Sequence, residues 1–334
     1  FAAIVMAALF LALLGYFPYI QAIDHEGQAL SFISEWVPEL GLSLSWYLDG
    51  LSLMFSLIVT GIGAAIFLYA GYYFDDEAEQ SRFMMWLSAF AGAMLGLVLS
   101  GNLITLFIMW ELTSVTSFML IGFKGQKSAE ARFGAQQAFM VTGGGALALI
   151  LGFVILGAAS GQMLGQAPVY ELSEILKLHL HEHPYYTAFA VLIMIGAFSK
   201  SAQFPFHFWL PGAMEAPTPA SAYLHSATMV KAGIYLLARL YPPMHEGALW
   251  SQALVFIGLT TMLLGAFFAL TKRDLKGLLA YSTVSKLGAI VALIGLPEYE
   301  GLKAAFIGIL AHALYKAALF LVAGTIDHNT GTRI

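Results

Sequence analysis

Five ionisable side chains lie inside segments that are otherwise apolar enough to cross a membrane. They are Glu111, Lys200, Lys231, Lys286 and Lys316. A lysine or a carboxylate at the centre of a spanning helix costs about 2.5–3.5 kcal/mol on insertion scales. Five such groups without partners would cost on the order of 15 kcal/mol. We therefore expect them to face the interior of a helix bundle, where they pair with one another or contact water.

Buried lysines are suited to proton transfer. Loss of hydration disfavours the charged amine and a nearby carboxylate favours it, so small changes in the surroundings change the protonation state. A single such lysine could instead form a structural ion pair or extend to the membrane interface. Four lysines in four predicted helices favour a proton relay across the bilayer.

Two histidines accompany these lysines. His312 and Lys316 are four residues apart, so they share one helix face. They are predicted to be consecutive stations of a proton relay, and a polar pair between helices is the alternative. His225 and Lys231 are six residues apart, about 240° around a continuous helix, so that helix would present them to two different neighbours.

A proline predicts a break in the helix that carries Lys200. Pro205 lacks an amide hydrogen and clashes with the carbonyl of Ser201. A freed carbonyl at membrane depth is tolerated where it lines a cavity or meets polar groups. Transporters combine such breaks with charges to build ion sites. We therefore expect a helix break at Pro205, with a simple kink as the alternative.

No cofactor, metal centre or catalytic constellation is predicted. The chain has no cysteine, which excludes disulfides and thiolate sites. The net charge of −5 argues against a nucleic-acid partner. The stretch HLHEH contains His179, His181, Glu182 and His183, but it lies in a predicted polar loop. Its composition favours solvated side chains, and metal binding is the alternative.

The elements that carry these residues are predicted to be membrane-spanning helices. The chain has 334 residues, of which 59% are hydrophobic and 10% charged, whereas soluble domains have about 25% charged residues. This composition predicts an all-α polytopic membrane protein. Segments of about 20 mainly apolar residues can span, and ten meet this criterion: 1–20, 47–73, 82–100, 102–122, 136–158, 186–210, 219–241, 250–271, 277–296 and 302–324. Residues 21–45 and 161–185 are predicted loops.

The distribution of basic residues predicts that Phe1 lies on the cytoplasmic side. Cytoplasmic loops carry an excess of lysine and arginine. With an inside start, the residues outside the spans divide into two sets. The inside set is Arg82, Lys124, Lys127, Arg132, Lys272, Arg273, Lys276 and Arg333. The outside set is Lys177, Arg239 and Lys303. Residues 1–14 have no basic flank, which argues against a signal peptide, and we expect a fragment of a longer protein at both ends.

Several long motifs resemble those of a known superfamily. They are SKSAQFPFHFWLPGAMEAPTPASAYLHSATMVKAG, FIMWELTSVTSFMLIGF, DLKGLLAYSTVSKLG and HALYKAALFLVAG. Together they resemble the antiporter-like subunits shared by respiratory complex I and Mrp-type multisubunit Na⁺/H⁺ antiporters. The resemblance runs from about residue 42 to 334, and it is strongest to the large A subunit of the Mrp antiporter.

This resemblance implies a core of about fourteen helices with two inverted five-helix repeats, each containing a broken helix. Residues 1–81 would then form the N-terminal helices and an outer loop. Residues 82–241 would form the first repeat, with the Pro-broken helix. Residues 242–334 would form three helices of an incomplete second repeat, and one core helix would precede Phe1.

The resemblance also implies a function. Glu111 would pair with Lys200, and a polar axis would continue along the membrane plane through His225, Lys231, Lys286, His312 and Lys316. The chain would be a proton-translocating transporter subunit, not an enzyme. It would act with other membrane subunits in a prokaryotic plasma membrane and exchange protons for a cation such as Na⁺. Only Glu111 supplies a carboxylate at mid-membrane, so the proton route is assigned to this chain and the Na⁺ route is left open.

Two alternative functions are kept. The first is a proton-pumping subunit of complex I or of a membrane-bound hydrogenase, which would copurify with flavin and iron–sulfur subunits. The second is a membrane-embedded enzyme or a scaffold whose charges form structural pairs only. The scattered histidines and the missing nucleophile and phosphate loop argue against an enzyme.

Overall fold

The computed structural model describes residues 1–24, 29–37 and 41–332. Arg333, which the charge count placed inside, lies outside the described residues. The helices are α1 (Ala2–Gly15), α2 (Phe17–Asp24), α3 (Gly50–Ala70), α4 (Glu77–Leu99), α5 (Leu103–Ile121), α6 (Ala129–Leu164), α7 (Leu172–Ile175), α8 (Tyr186–Lys200), α9 (Trp209–Gly212), α10 (Thr218–Ser226), α11 (Ala232–Arg239), α12 (Tyr241–Met244), α13 (Ala248–Leu270), α14 (Leu275–Ile294) and α15 (Tyr299–Thr330).

The prediction of an all-α polytopic membrane protein is confirmed. Among the described residues, eight helical segments are long and apolar enough to cross a membrane: α1 continued by α2, then α3, α4, α5, α6, α13, α14 and α15. Long helices begin where a polar side chain accepts a backbone N–H of the first turn. These caps are Asp49, Asp76, Asn102, Ser128 and Asp274.

The two remaining predicted spans are broken helices. The span predicted at 186–210 stops as a helix at Lys200 and continues through short turns to α9. The span predicted at 219–241 divides into α10 and α11, with a 3₁₀ turn at Met229–Lys231 between them. A continuous helix carrying both His225 and Lys231 was therefore wrong, and so was their predicted angular separation.

The predicted loop at 21–45 contains an antiparallel hairpin, which is a second correction. It consists of β1 (Leu30–Val37) and β2 (Leu42–Leu48). In β2, Ser43 and Ser45 point inward while Leu44 and Trp46 are exposed. Both inward hydroxyls donate to the Glu171 carboxylate, Ser45 at 2.8 Å. Polar residues therefore occupy the inner face because a buried carboxylate requires donors.

The broken helices α10 and α11 lie at the centre of the fold. Every residue of both helices is buried. The long helices around them allow close backbone contacts at glycines. For example, a Cβ added to Gly258 of α13 would lie 2.7 Å from the carbonyl oxygen of Gly288 on α14. The bundle thus encloses two short helices whose broken ends carry lysines.

Candidate functional site

Lys200 is the last residue of α8, and its side chain is fully buried. Its Nζ donates to the Trp110 carbonyl oxygen at 2.6 Å and to Ser114 Oγ at 3.0 Å, both on α5. The ammonium also lies 4.6 Å from the centroid of the Trp110 ring, a favourable cation–π position. A lysine at the end of a short helix is thus held by one turn of its neighbour.

Glu111 lies in the same turn of α5 and is half-buried. Ser114 Oγ lies 3.4 Å from Glu111 Oε1. A hydroxyl can accept one hydrogen bond and donate another, so Ser114 connects the Lys200 ammonium to the Glu111 carboxylate. In the described residues the two charged groups form no direct salt bridge. Their electrostatic interaction acts across this hydroxyl, which the sequence reasoning did not identify.

Replacement of Ser114 by alanine is therefore expected to slow proton-coupled transport by about 10-fold or more. A hydrogen bond to a charged group contributes about 1.5–3 kcal/mol, and loss of 1.4 kcal/mol corresponds to a factor of about 10. The rate of pH change in everted vesicles, normalised to assembled protein, measures the effect. Ser117→Ala is the matched control, because Ser117 is buried on the same helix but donates only to the Ser114 carbonyl. Equal rates for Ser114→Ala and wild type would contradict the connection.

The segment between Lys200 and Pro205 ends the regular hydrogen bonding of α8. The Ser201 carbonyl, which the sequence reasoning expected to be freed, accepts the Gln203 side-chain amide at 2.9 Å. The Ser199 carbonyl accepts Trp209 Nε1 at 2.9 Å. The helix ends five residues before Pro205, so the break extends over residues 201–205. Side chains supply the partners that the interrupted helix leaves without backbone donors.

The second break carries Lys231 at the start of α11. Its Nζ is fully buried and donates to the Ile309 carbonyl oxygen of α15 at 3.0 Å. His312 follows three residues later on α15, and both its ring nitrogens are buried without a partner among the described residues. Lys231, Lys316 and Lys286 interact electrostatically with this ring. Three lysines from three helices therefore surround one buried histidine.

Lys316 connects α15 to α14. Its Nζ donates to the Leu279 carbonyl oxygen at 3.0 Å and to the hydroxyl of Ser282. Lys286 lies one turn further along α14 and is half-buried. The predicted sharing of one face by His312 and Lys316 agrees with their common burial on α15.

His225 lies apart from the Lys231 cluster, on α10. It packs between the rings of Trp209 and Phe320, and neither ring nitrogen has a partner among the described residues. Its basic electrostatic neighbour is Lys276. Lys276 was predicted to be in an inside loop, but it is buried in the first turn of α14 and contacts the Ala216 carbonyl oxygen at 3.3 Å. The capping position of Asp274 is the sequence signal that places Lys276 inside the helix.

A further buried charge, which the sequence reasoning placed in an outside loop or helix end, is Arg239. Its guanidinium forms a bidentate pair with Asp49, with Nη2 at 2.8 Å from Oδ1, and donates to Ser52 Oγ at 2.6 Å. Burial alone would raise the pKa of the Asp49 carboxyl, but Arg239 outweighs burial and holds that pKa below its usual range. This pair joins the start of α3 to the end of α11.

The histidine-rich loop divides in two. Nδ1 of His179 and Nδ1 of His181 lie 3.2 and 3.3 Å from Oε2 of Glu246, which precedes α13. His183 instead contacts Gln162 on α6 at 3.2 Å. Glu182 is exposed and does not belong to the group of convergent ligand atoms. Glu246 could not be associated with the loop from sequence spacing.

Comparison with known proteins agrees with this arrangement. Residues 100–333 match the family described as NADH:quinone oxidoreductase/Mrp antiporter, TM, and residues 36–84 match NADH-Ubiquinone oxidoreductase (complex I), chain 5 N-terminus. The chain is 48% identical, over its whole length, to 32% of a probable K⁺/H⁺ antiporter protein of Rhizobium meliloti, a subunit of type A/B. Over 89% of its length it is 44% identical to 38% of the A1 component of a Na⁺/H⁺ antiporter of Staphylococcus aureus.

Two solved structures are similar along nearly the entire chain. The Mrp complex from Dietzia sp. superposes with a TM-score of 0.85 at 37% identity, covering 100% of this chain and 38% of the other. The membrane-bound sulfane sulfur reductase, an archaeal respiratory membrane complex, gives 0.82 at 25% identity, covering 99% and 53%. The chain spans about a third of the length of the curated relatives it matches. It belongs to the transmembrane family shared by NADH:quinone oxidoreductases and Mrp antiporters.

Proposed function

We propose that this chain is a proton-translocating subunit of a multisubunit cation/H⁺ antiporter of the Mrp type, and therefore part of a transporter rather than an enzyme. The observation that carries the proposal is the burial of Lys200, Lys231 and Lys316 with hydrogen bonds only to carbonyls and hydroxyls among the described residues. A purely structural charge is expected to be paired with an opposite charge. Lysines held by neutral acceptors can bind and release protons without breaking an ion pair.

The proposed route begins at Glu111 and passes through Ser114 to Lys200. The two helix breaks then meet, because Gly233 of α11 packs directly on Ala197 and Ser201 at the end of α8. Unpartnered polar atoms are buried on both sides of this contact, namely Ser201 Oγ, Gln203 Oε1 and the ring nitrogens of His225 and His312. Buried polar atoms without protein partners are sites for water, so hydration at these positions supports proton transfer.

From Lys231 the route continues to His312 and Lys316, with Lys286 beside them. His225 and Lys276 form a branch of this route near the Ala216 carbonyl. We place Phe1 on the cytoplasmic side of a prokaryotic plasma membrane, in agreement with the positive-inside distribution. Residues 82–241 are proposed as the first five-helix repeat, after the N-terminal helices at 1–81, and 242–334 as three helices of the second.

The proposed partners are other membrane subunits, protons and a monovalent cation. Relatives named as components of antiporters that exchange Na⁺ or K⁺ for H⁺ support these partners. Glu111 is the one mid-membrane carboxylate that the sequence places with the lysines, so this chain supplies the proton route.

A proton-pumping subunit of a respiratory complex is the second candidate. The superposition on an archaeal respiratory membrane complex favours it. The two candidates differ in their partners, since flavin and iron–sulfur subunits accompany the second and small hydrophobic subunits the first.

Replacement of Lys316 by alanine tests the proposal. We expect antiport by the intact complex in everted vesicles to fall by about 100-fold, because proton transfer by a positioned group contributes roughly 10²–10⁴-fold. Lys303→Ala is the matched control, since Lys303 lies on the same helix but is exposed and pairs with Glu300. Wild-type antiport by an assembled Lys316→Ala complex would reject a proton route through this residue.

A further inference from the structure

The loop after α7 and the turn before α13 bring three potential metal ligands together. Nδ1 of His179, Nδ1 of His181 and a carboxylate oxygen of Glu246 all lie within 4.8 Å of one another. The histidines come from the 172–185 segment, and Glu246 is more than 60 residues later in the chain. The fold, and not the sequence spacing, creates this group, which is separate from the buried lysines.

We propose that His179, His181 and Glu246 form a binding site for a divalent transition metal ion of the Zn²⁺ type. The chemistry of the donors supports this assignment. Imidazole nitrogens combined with one carboxylate oxygen suit zinc, whereas magnesium and calcium prefer sites built from oxygen alone. Three protein ligands leave the fourth tetrahedral position to water.

The distances also fit a tetrahedral ion. Ligands at about 2.0–2.2 Å from zinc lie about 3.3–3.6 Å from one another. The two Nδ1–Oε2 distances are 3.2 and 3.3 Å. The ligand atoms therefore need only small shifts to accept an ion.

The backbone around the three ligands is already positioned. Leu180, between the two histidines, is fully buried in a 3₁₀ turn. Tyr186 Oη donates to the Met244 carbonyl at 3.1 Å, which fixes the turn before Glu246. A Cβ at Gly247 would lie 2.2 Å from Tyr186 Oη, so this contact depends on a glycine. The ordering entropy of the two segments is thus contributed by folding, which favours binding.

The other candidate ligands nearby are engaged elsewhere. His183 contacts Gln162, and the ring of His245 stacks on Tyr241 with 4.6 Å between centroids. His183 therefore provides a matched control within the same histidine-rich loop.

The test uses the intact complex, purified in detergent, stripped of metal by a chelator and titrated with Co²⁺ and then Zn²⁺. We expect one Co²⁺ with the visible absorption of a tetrahedral ion, displaced by Zn²⁺. His181→Ala and Glu246→Gln should weaken this binding by at least about 10-fold, since even outer-shell substitutions cost 10–100-fold. His183→Ala should bind as wild type does.

Glu246→Gln keeps the shape and an acceptor oxygen, so a folded, assembled variant separates metal ligation from a histidine–carboxylate hydrogen bond. Equal Co²⁺ spectra and affinities in the wild type, His181→Ala and Glu246→Gln would overturn the proposal and leave a hydrogen-bonded cluster only. Equal loss in His183→Ala would also overturn it, because His183 lies outside the ligand group.

Discussion

Replacement of Lys200 by alanine is expected to reduce antiport by the intact complex by at least about 100-fold, the scale on which a positioned proton-transfer group acts. Lys200 is the cation that interacts with the Glu111 carboxylate, through Ser114, and it ends the helix that stops at the first break. Removing its amine would separate Glu111 from the second break. The rate of pH change in everted vesicles after addition of Na⁺ or K⁺ measures this loss.

Lys200→Arg should fail as completely as Lys200→Ala. Arginine keeps the charge, but it does not release its proton at physiological pH. Lys177→Ala is the control, because Lys177 is exposed and pairs only with Glu174 three residues earlier. If Lys200→Arg transported protons normally, charge and not proton release would be the role of this position. Normal transport by Lys200→Ala would remove Lys200 from the route.

The positions of the buried charges could be predicted because hydropathy exposes their cost. A lysine in an apolar helix must find partners, whatever the tertiary structure. The identity of those partners depends on packing between helices. The sequence suggests a Glu111–Lys200 ion pair, whereas the structure places Ser114 and a backbone carbonyl beside Lys200.

The second helix break shows what local propensity leaves out. Residues 226–231 contain no proline or glycine, so the span at 219–241 looked continuous. In the structure, Ser226 and Thr228 donate their hydroxyls to the carbonyls of Ala222 and Tyr223, Thr228 at 2.7 Å. Such bonds compete with the helical pattern. The break is therefore set by side-chain hydrogen bonds in a fully buried segment, and helix-breaking residues do not mark it.

Topology also decides which distant residues meet. Glu171 reaches β2, and Glu246 reaches the histidine-rich loop, across long stretches of chain. Neither contact has a periodicity that the sequence displays. Lys276 differs, because the capping aspartate two residues earlier indicates that the helix has already begun.

Arg239→Met is expected to destabilise the protein by about 3–5 kcal/mol without a specific effect on proton transfer. Removing one partner of a buried ion pair leaves the other charge uncompensated. Here that charge would be Asp49, which also caps α3 through the Ser52 amide at 2.9 Å. Thermal denaturation of the purified complex, compared with antiport per folded complex, separates the two effects.

A double variant distinguishes the loss of pairing from the loss of packing around Arg239. Asp49→Asn removes the charge but keeps an oxygen that can cap α3. Replacing both members of a buried pair by neutral groups is often close to neutral in stability, so Asp49→Asn with Arg239→Met should recover at least half of the lost thermal stability. If the double variant were as unstable as Arg239→Met alone, the guanidinium would act through its contacts with Tyr235 and Tyr47. Because Lys200 lies beside neutral acceptors and Arg239 beside a carboxylate, the two sets of variants should separate charges that move protons from charges that hold helices together.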